Sequence, residues 1–265
     1  MKYLKLYGAI FFISVAAISC TKVIDLKLGN DTGKLVIEGN IINIGGRQSI
    51  VLSRNVPFTS TNTYPPVTAA TVTVSDGKGN IYPFTEGPAG TYSNSGLAGT
   101  TGTSYAMIVL TGGQTYTASS IMPMQVMLDS ITSKKNDFRS SDNRREISVH
   151  FQDPPGVPNQ YKFLLFVNSV QVNAIFAIDD EFTDGRYVNL DMVENQTDIY
   201  PGDTVRVEMQ CIDKPVYTYW YTLMQQQFDS PGGGVAPANP PTNIKPATLG
   251  YFSAHTEQSL TLVVK

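Results

Sequence analysis

From Lys34 onward the chain is cut into short runs by glycine and proline, and within most runs apolar residues alternate with polar ones. ATVTVSD (70–76) is the cleanest case, with Val72 and Val74 on one face and the threonines on the other. A period of two marks a strand with one face buried. The residues that follow, DGKGN (76–80), accept positive φ, so the strand is expected to turn there. KLVIEGNI (34–41), QSIVLSR (48–54), IYPF, GTYSN, SYAMIVL and QTYTASS are similarly short and bounded by turn formers. Roughly seven strands in ~90 residues is the density of a β-sandwich. FTSTNTYPPV (58–67) reads as an irregular loop, because Pro65 and Pro66 cannot donate ladder hydrogen bonds.

MPMQVML (122–128) reads as a passage to a second domain. There REISVHFQ (145–152) places Ile147, Val149 and Phe151 on one face, and DPPGVPNQ (153–160) forces a turn. YKFLLFVN (161–168) is apolar on both faces, which suits a central strand. QVNAIFAI, RYVNLDMV and DTVRVEMQC continue the sheet, and TEQSLTLVVK closes with Leu260, Leu262 and Val264 on one face. In DKPVYTYWYTLMQQQFDS (213–230) the period changes. Tyr217, Tyr221, Met224 and Phe228 share a helical face with Val216, Trp220 and Leu223 beside it, Asp213 fits an N-cap, and Pro215 sits in the first turn. The expected fold is therefore mainly β, with two sandwich-like domains at 34–124 and 125–265 and one amphipathic helix at about 214–229. SPGGGVAPANPPTNIKPATLG (230–250) reads as a long irregular loop, of the kind that usually serves function.

The first residues belong to another class. Lys2 and Lys5 precede an almost wholly apolar run, Leu6 to Ile18. A membrane-spanning helix needs ~20 apolar residues, whereas a secretory signal needs ~7–15. Ala17, Ile18 and Ser19 then lead into Cys20 in the manner of a bacterial lipobox, although the commonest residue at the place of Ala17 is leucine. The expectation is a signal peptide at 1–19, a diacylated Cys20 bound to membrane lipid, and a tether at 20–33. Two acyl chains hold a protein stably where one does not. Removing Lys2 and Lys5 leaves 17 basic against 22 acidic residues and moves the net charge from −3 to −5. Without a basic run longer than Arg144-Arg145, the chain is not expected to bind nucleic acid.

Side chains able to do chemistry are few. Cys211 alternates onto the apolar face of VRVEMQC and reads as a small core residue; with Cys20 acylated there is no intrachain disulfide to make. His150 falls on the polar face of its strand, and His255 has Ser253 and Glu257 nearby at a spacing ordinary for a strand. No catalytic residue, cofactor or metal is assigned, and the chain is expected not to be an enzyme. The acidic cluster Asp179, Asp180, Glu181 and Asp184 fails the spacing of an EF-hand and reads as a solvated turn. Tyr219, off the main helical stripe, and the loop residues Pro231, Pro237, Pro240 and Pro241 are the candidates for partner binding. Asp129-Ser130-Ile131 and Asp203-Thr204-Val205 resemble an O-glycosylation sequon of Bacteroidetes, making Ser130 and Thr204 candidate modification sites.

The order of motifs resembles a known family. A lipobox cysteine, KLVIEGNI, LSRNVPF, PPVTAATVTVSDGKGN, GTY, TYTASS, DPPGVPNQYKF, YPGDTVRVEMQCIDKPVYTYW and LGYF together look like the domain of unknown function 4249 found in lipoproteins of Bacteroidetes. The resemblance spans nearly all of the mature chain. It implies an N-terminal Greek-key domain of prealbumin or immunoglobulin-like type, and a lipid anchor in the outer membrane. It also implies an accessory or binding role beside a TonB-dependent receptor. It brings no catalytic residues. A stand-alone glycan-binding module is the other expectation, drawn from the tyrosine-rich composition.

Overall fold

The computed structural model describes residues 32–46, 48–57, 60–61, 63–135, 143–194, 196–227 and 238–265. The expected signal peptide, Cys20 and most of the tether lie outside them. Thr32–Lys265 form one compact unit. It is mainly β, built of packed sheets with one helix among the described residues.

Seven strands build the first layer system: β1 (Leu35–Ile42), β2 (Gln48–Arg54), β3 (Thr71–Asp76), β4 (Ile81–Glu86), β5 (Thr91–Asn94), β6 (Ser104–Thr111) and β7 (Gln114–Ile121). They pair in the order β1-β2-β5-β4-β3-β6-β7. The turn after β3 forms as its composition demands. The Asp76 carboxylate accepts the N–H groups of Lys78 and Asn80, both at 2.9 Å, and Gly79 takes φ of +88°. The inward residues of these strands, among them Ile37, Leu52, Val74, Tyr92 and Met107, form a first core.

The second layer system contains β8 (Ser130–Lys135), β9 (Arg145–Gln152), β10 (Gln160–Val167), β11 (Val170–Gln171), β12 (Phe176–Asp179), β13 (Tyr187–Asp191) and β14 (Thr204–Cys211). A three-stranded sheet, β13-β9-β8, packs on the sheet containing β10 and β14. Ile147, Val149 and Phe151 meet Phe163, Leu165 and Met209 in a second core, and Phe151 stands edge-on to Tyr161 at 4.8 Å. Residues 122–128 pass from one core to the other: Met122 is buried in the first, Val126 and Leu128 in the second.

Two further strands complete the fold, β15 (Ile244–Lys245) and β16 (Leu249–Val263). The first half of β16 pairs in parallel with β1, from Val36↔Leu249 to Ile42↔His255. Its second half pairs antiparallel with β14, from Cys211↔Thr256 to Thr204↔Val263. One uninterrupted strand thus belongs to both sheets. Phe252 and Ala254 are buried in the first core, while Leu260 and Leu262 pack on the second. These residues share parity, so both cores lie on the same side of β16. A division of the chain at 124/125 therefore needs correction at its far end. Ile244, Phe252 and Ala254 belong to the first core, and β15 pairs with β7 inside what reads from sequence as a structureless loop. Local periodicity identifies a strand but carries no mark of a parallel partner some two hundred residues away.

Helix α1 (Lys214–Gln227) begins where its cap predicts: Asp213 Oδ1 accepts the N–H of Val216 at 3.2 Å. Its packed face takes Tyr217 and Met224 from the expected stripe and Val216 and Trp220 from beside it. Val216, Tyr217, Trp220 and Met224 meet Ala177 and Ile212, while Tyr221 is exposed and stacks on Tyr217 at 5.3 Å. Phe228 lies outside the described residues.

Candidate functional site

The odd-numbered residues of β16 point away from both cores, onto a second face of the shared sheet. Strand register arranges this face in rows. Lys162 of β10 stands opposite Gln210 of β14, which stands opposite Glu257 of β16. Across β16 and β1, Tyr251 pairs with Glu38, Ser253 with Asn40, and His255 with Ile42. Helix α1 leans over these rows. Trp220 lies 5.2 Å from Tyr251, and the Lys162 ammonium sits 3.7 Å from the Trp220 ring centroid. The connection from β11 to β12 closes one side. It is tied to the end of α1 through Gln227, which donates to Asn173 O at 3.2 Å and accepts from Ile175 N at 3.0 Å. Between sheet, helix and connection lies a cleft of about 450 Å³.

The charges in this cleft are unusual. Lys162 is only 7% exposed, and among the described residues no hydrogen-bond acceptor or carboxylate contacts its ammonium. Burial drives its pKa down to about 8, against the opposing pull of Glu208 and Glu38. The Glu208 carboxylate is taken up elsewhere, by Arg206 at 3.2 Å and by Gln210 Nε2 at 2.8 Å. Burial first, and Lys162 second, push His255 down to about 3, so its imidazole is neutral at pH 7. His255 Nδ1 lies 2.9 Å from Ser253 Oγ, but that serine is 1% exposed. The serine, histidine and glutamate that the sequence spaces along one strand do share a face. The Ser253–His255 pair is a hydrogen bond inside the sheet and does not present a nucleophile.

The residues singled out by sequence fall in different places. Tyr219 is half-buried, 5.0 Å from Tyr251 and 5.4 Å from Trp220, and burial raises its hydroxyl to about 12. It backs the wall of the cleft and is not an exposed contact residue. Pro240 and Pro241 line a separate open groove of about 770 Å³, together with Arg54, Tyr116 and Thr248. Pro231 and Pro237 lie outside the described residues. Ser130 opens β8 half-buried, and Thr204 opens β14 exposed. Cys211 is buried in the second core, where its sulfur accepts the N–H of Val126 at 3.3 Å. His150 bridges Thr132, at 2.7 Å, and Asn189, at 2.5 Å, across the three-stranded sheet.

Asp180 and Asp184 gather with a third acid that sequence reading does not connect to them, Asp153. Carboxylate oxygens of the three lie within 4.8 Å of one another, and these are the acids that could share a cation. Each already accepts hydrogen bonds: Asp180 from Asn159 N, Asp184 from Gly156 N, and Asp153 from Gly185 N and the Tyr161 hydroxyl. The cluster thereby clasps loop 153–160 to loop 180–185. Sequence reading also misses Lys162 as a site residue. Its signal is a lone lysine inside YKFLLFVN, a run otherwise apolar on both faces.

No curated protein matches the chain. Among solved structures, it is similar to a two-domain fibronectin type-III segment from chicken tenascin, at 13% identity and a TM-score of 0.22, covering 68% of this chain and 90% of that one. It is also similar to the Yersinia pseudotuberculosis adhesin InvE, at 16% identity and a TM-score of 0.20, covering 68% of this chain and 57% of the adhesin. A family model described as "Domain of unknown function (DUF4249)" matches residues 21–261. That match runs through both cores and the strand they share, and the chain belongs to the DUF4249 family.

Proposed function

We propose that the protein is a lipid-anchored, non-catalytic binding subunit of the outer membrane, working beside a TonB-dependent transporter. The observation that carries this reading is the order of parts along the chain. An apolar run ends in Ala17-Ile18-Ser19-Cys20, and a compact β body with an open polar cleft begins at Thr32. A diacylated Cys20 would hold that body at a membrane, on a tether that reaches at most ~50 Å when fully extended. Catalysis is left out of the reading because the Ser253 hydroxyl bonded to His255 is buried and offers no nucleophile to a ligand. No helix among the described residues is long and apolar enough to cross a membrane.

The test is an affinity pull-down from mild-detergent outer membranes, with Cys20→Ala as control. A TonB-dependent barrel recovered in stoichiometric amount with the wild-type chain, and lost with the variant, is the expected result. Recovery of the chain by itself would overturn the accessory role. It would leave the second reading, a stand-alone glycan-binding module, which the mixture of amides and aromatic rings around the cleft favours.

A further inference from the structure

We infer that the cleft between the shared sheet and α1 binds a neutral sugar ring, with Lys162 donating to its hydroxyl oxygens. The inference rests on the reading of the protein as a binding subunit and names what that subunit takes.

Lys162 is the starting point. A lysine that is only 7% exposed as a residue ordinarily has acceptors built around its charge. Here the ring of Trp220 covers one side, and no acceptor reaches the charge among the described residues. Its side chain lines the cleft, so a ligand oxygen can complete its hydrogen bonding. The other lining groups decide what kind of oxygen. Glu257 stands two positions along the same row from Lys162, and the Glu38 and Glu208 carboxylates act on the lysine from nearby. A ligand carboxylate or phosphate at Lys162 would be repelled by all three. A ligand cation would be repelled by Lys162 itself. The formal charge of the lining side chains, Lys162 against Glu257 with a neutral His255, sums to zero.

A neutral hydroxyl meets both demands at once, because it accepts from the ammonium and donates to a carboxylate. A carboxylate oxygen pair has about four lone-pair sites, so Glu257 can take a ligand donor in addition to a protein one. Asn40 and Asn173 add amides that both donate and accept. Gln210 spends its N–H on Glu208, which leaves its amide oxygen as an acceptor. Trp220 and Tyr251 supply apolar walls for the C–H faces of a ring. The volume of about 450 Å³ lies in the range of small-molecule sites, roughly 300–1,000 Å³. Vicinal hydroxyls on a compact ring fit this pattern, whether the ring is free or ends a glycan.

Trp220 is the sole tryptophan of the chain and forms a wall of the cleft, so its fluorescence reads the site directly. The full-length chain in detergent is titrated with glucose, galactose, mannose and N-acetylglucosamine, and with short oligosaccharides ending in each. Glucuronate and glucosamine serve as charged counterparts. A saturable change with at least one neutral sugar, free or terminal, is expected, with weaker binding of its charged counterpart. Lys162→Met keeps the buried stem and removes the donor, and should weaken binding about 10- to 100-fold. Asn173→Ala, on the exposed connection, should weaken it by a smaller factor without touching the core. Silence toward every neutral sugar up to about 10 mM overturns the inference. So does tighter binding of a charged counterpart, or unchanged affinity in a folded Lys162→Met chain. Co-purification of a barrel from the same preparation reports on the membrane role separately. A barrel with a silent cleft removes the sugar and leaves the binding subunit standing.

Discussion

With its ammonium turned toward Trp220, Lys162 has lost most of the water that would otherwise hold its charge. The folded chain releases that proton near pH 8, whereas the unfolded chain holds it to about 10.5. Between those values the unfolded state binds more protons, so stability rises with pH through that window. Below pH 8 both states are protonated and the full penalty is present. Lys162→Met has no such proton. The stability gap between variant and wild type should therefore shrink by roughly 3 kcal/mol from pH 7 to pH 10.5, read by urea unfolding. A constant gap would mean that the amine keeps its proton. His255 gives the matching expectation in acid. Its folded pKa near 3 lies below the unfolded value of 6.5, so the unfolded chain alone gains a proton as pH falls between them. Wild type should lose stability between pH 6.5 and pH 4 along a slope that His255→Asn removes. Parallel curves for the two chains would place the imidazole in contact with solvent.

At the scale of elements, α1 is fastened to the sheets through its cap. Asp213 Oδ1 accepts from Val216, while Oδ2 accepts from the Ser120 hydroxyl at 2.8 Å and the Ile121 N–H at 3.1 Å. Ser120 in turn accepts the N–H of Ala254 at 2.8 Å. One carboxylate thus joins α1, β7 and β16. Asp213→Ala removes a cap worth ~1 kcal/mol and leaves donors on β7 unpaired, so a loss of about 2–4 kcal/mol is expected in thermal unfolding. Asp213→Asn, which keeps an acceptor oxygen, should lose less. Half of this arrangement is legible in the sequence. Asp213 followed by Pro215 announces a helix start, and the 14 residues of α1 begin there. Nothing in QTYTASS announces that Ser120 meets a residue 93 positions on. The cleft divides in the same way. Lys162 betrays itself as the one charge in an apolar run, whereas its neighbours Glu257, His255 and Asn173 come from distant segments that only the tertiary fold brings together. Strand existence follows from local alternation. Strand partnership follows from tertiary packing, and so β15 and the parallel pairing of β16 leave no local trace.

For the molecule as a whole, β16 determines how the two cores share stability. Its first half supplies Phe252 and Ala254 to one core, and its second half sets Leu260 and Leu262 on the other. A strand cannot leave one sheet without giving up its place in the next, so the two cores should unfold together. Gly250 offers a local way to test this. It holds φ of +95° opposite Ile37, and a Cβ there would stand 1.9 Å from the Ile37 carbonyl oxygen. Gly250→Ala must push β1 and β16 apart within the first layer system, at a cost of about 3 kcal/mol or more. The informative readout lies in the second. Amide hydrogen exchange of Ile147, Val149 and Phe151 on β9, which pairs with β13 and β8 and not with β1, should lose protection by the same free energy as Met107 and Val109 on β6. Equal losses would make the body one cooperative unit. Protection of β9 left at its wild-type value would mean that each core holds its own half of β16, and that the strand links two independent folding units.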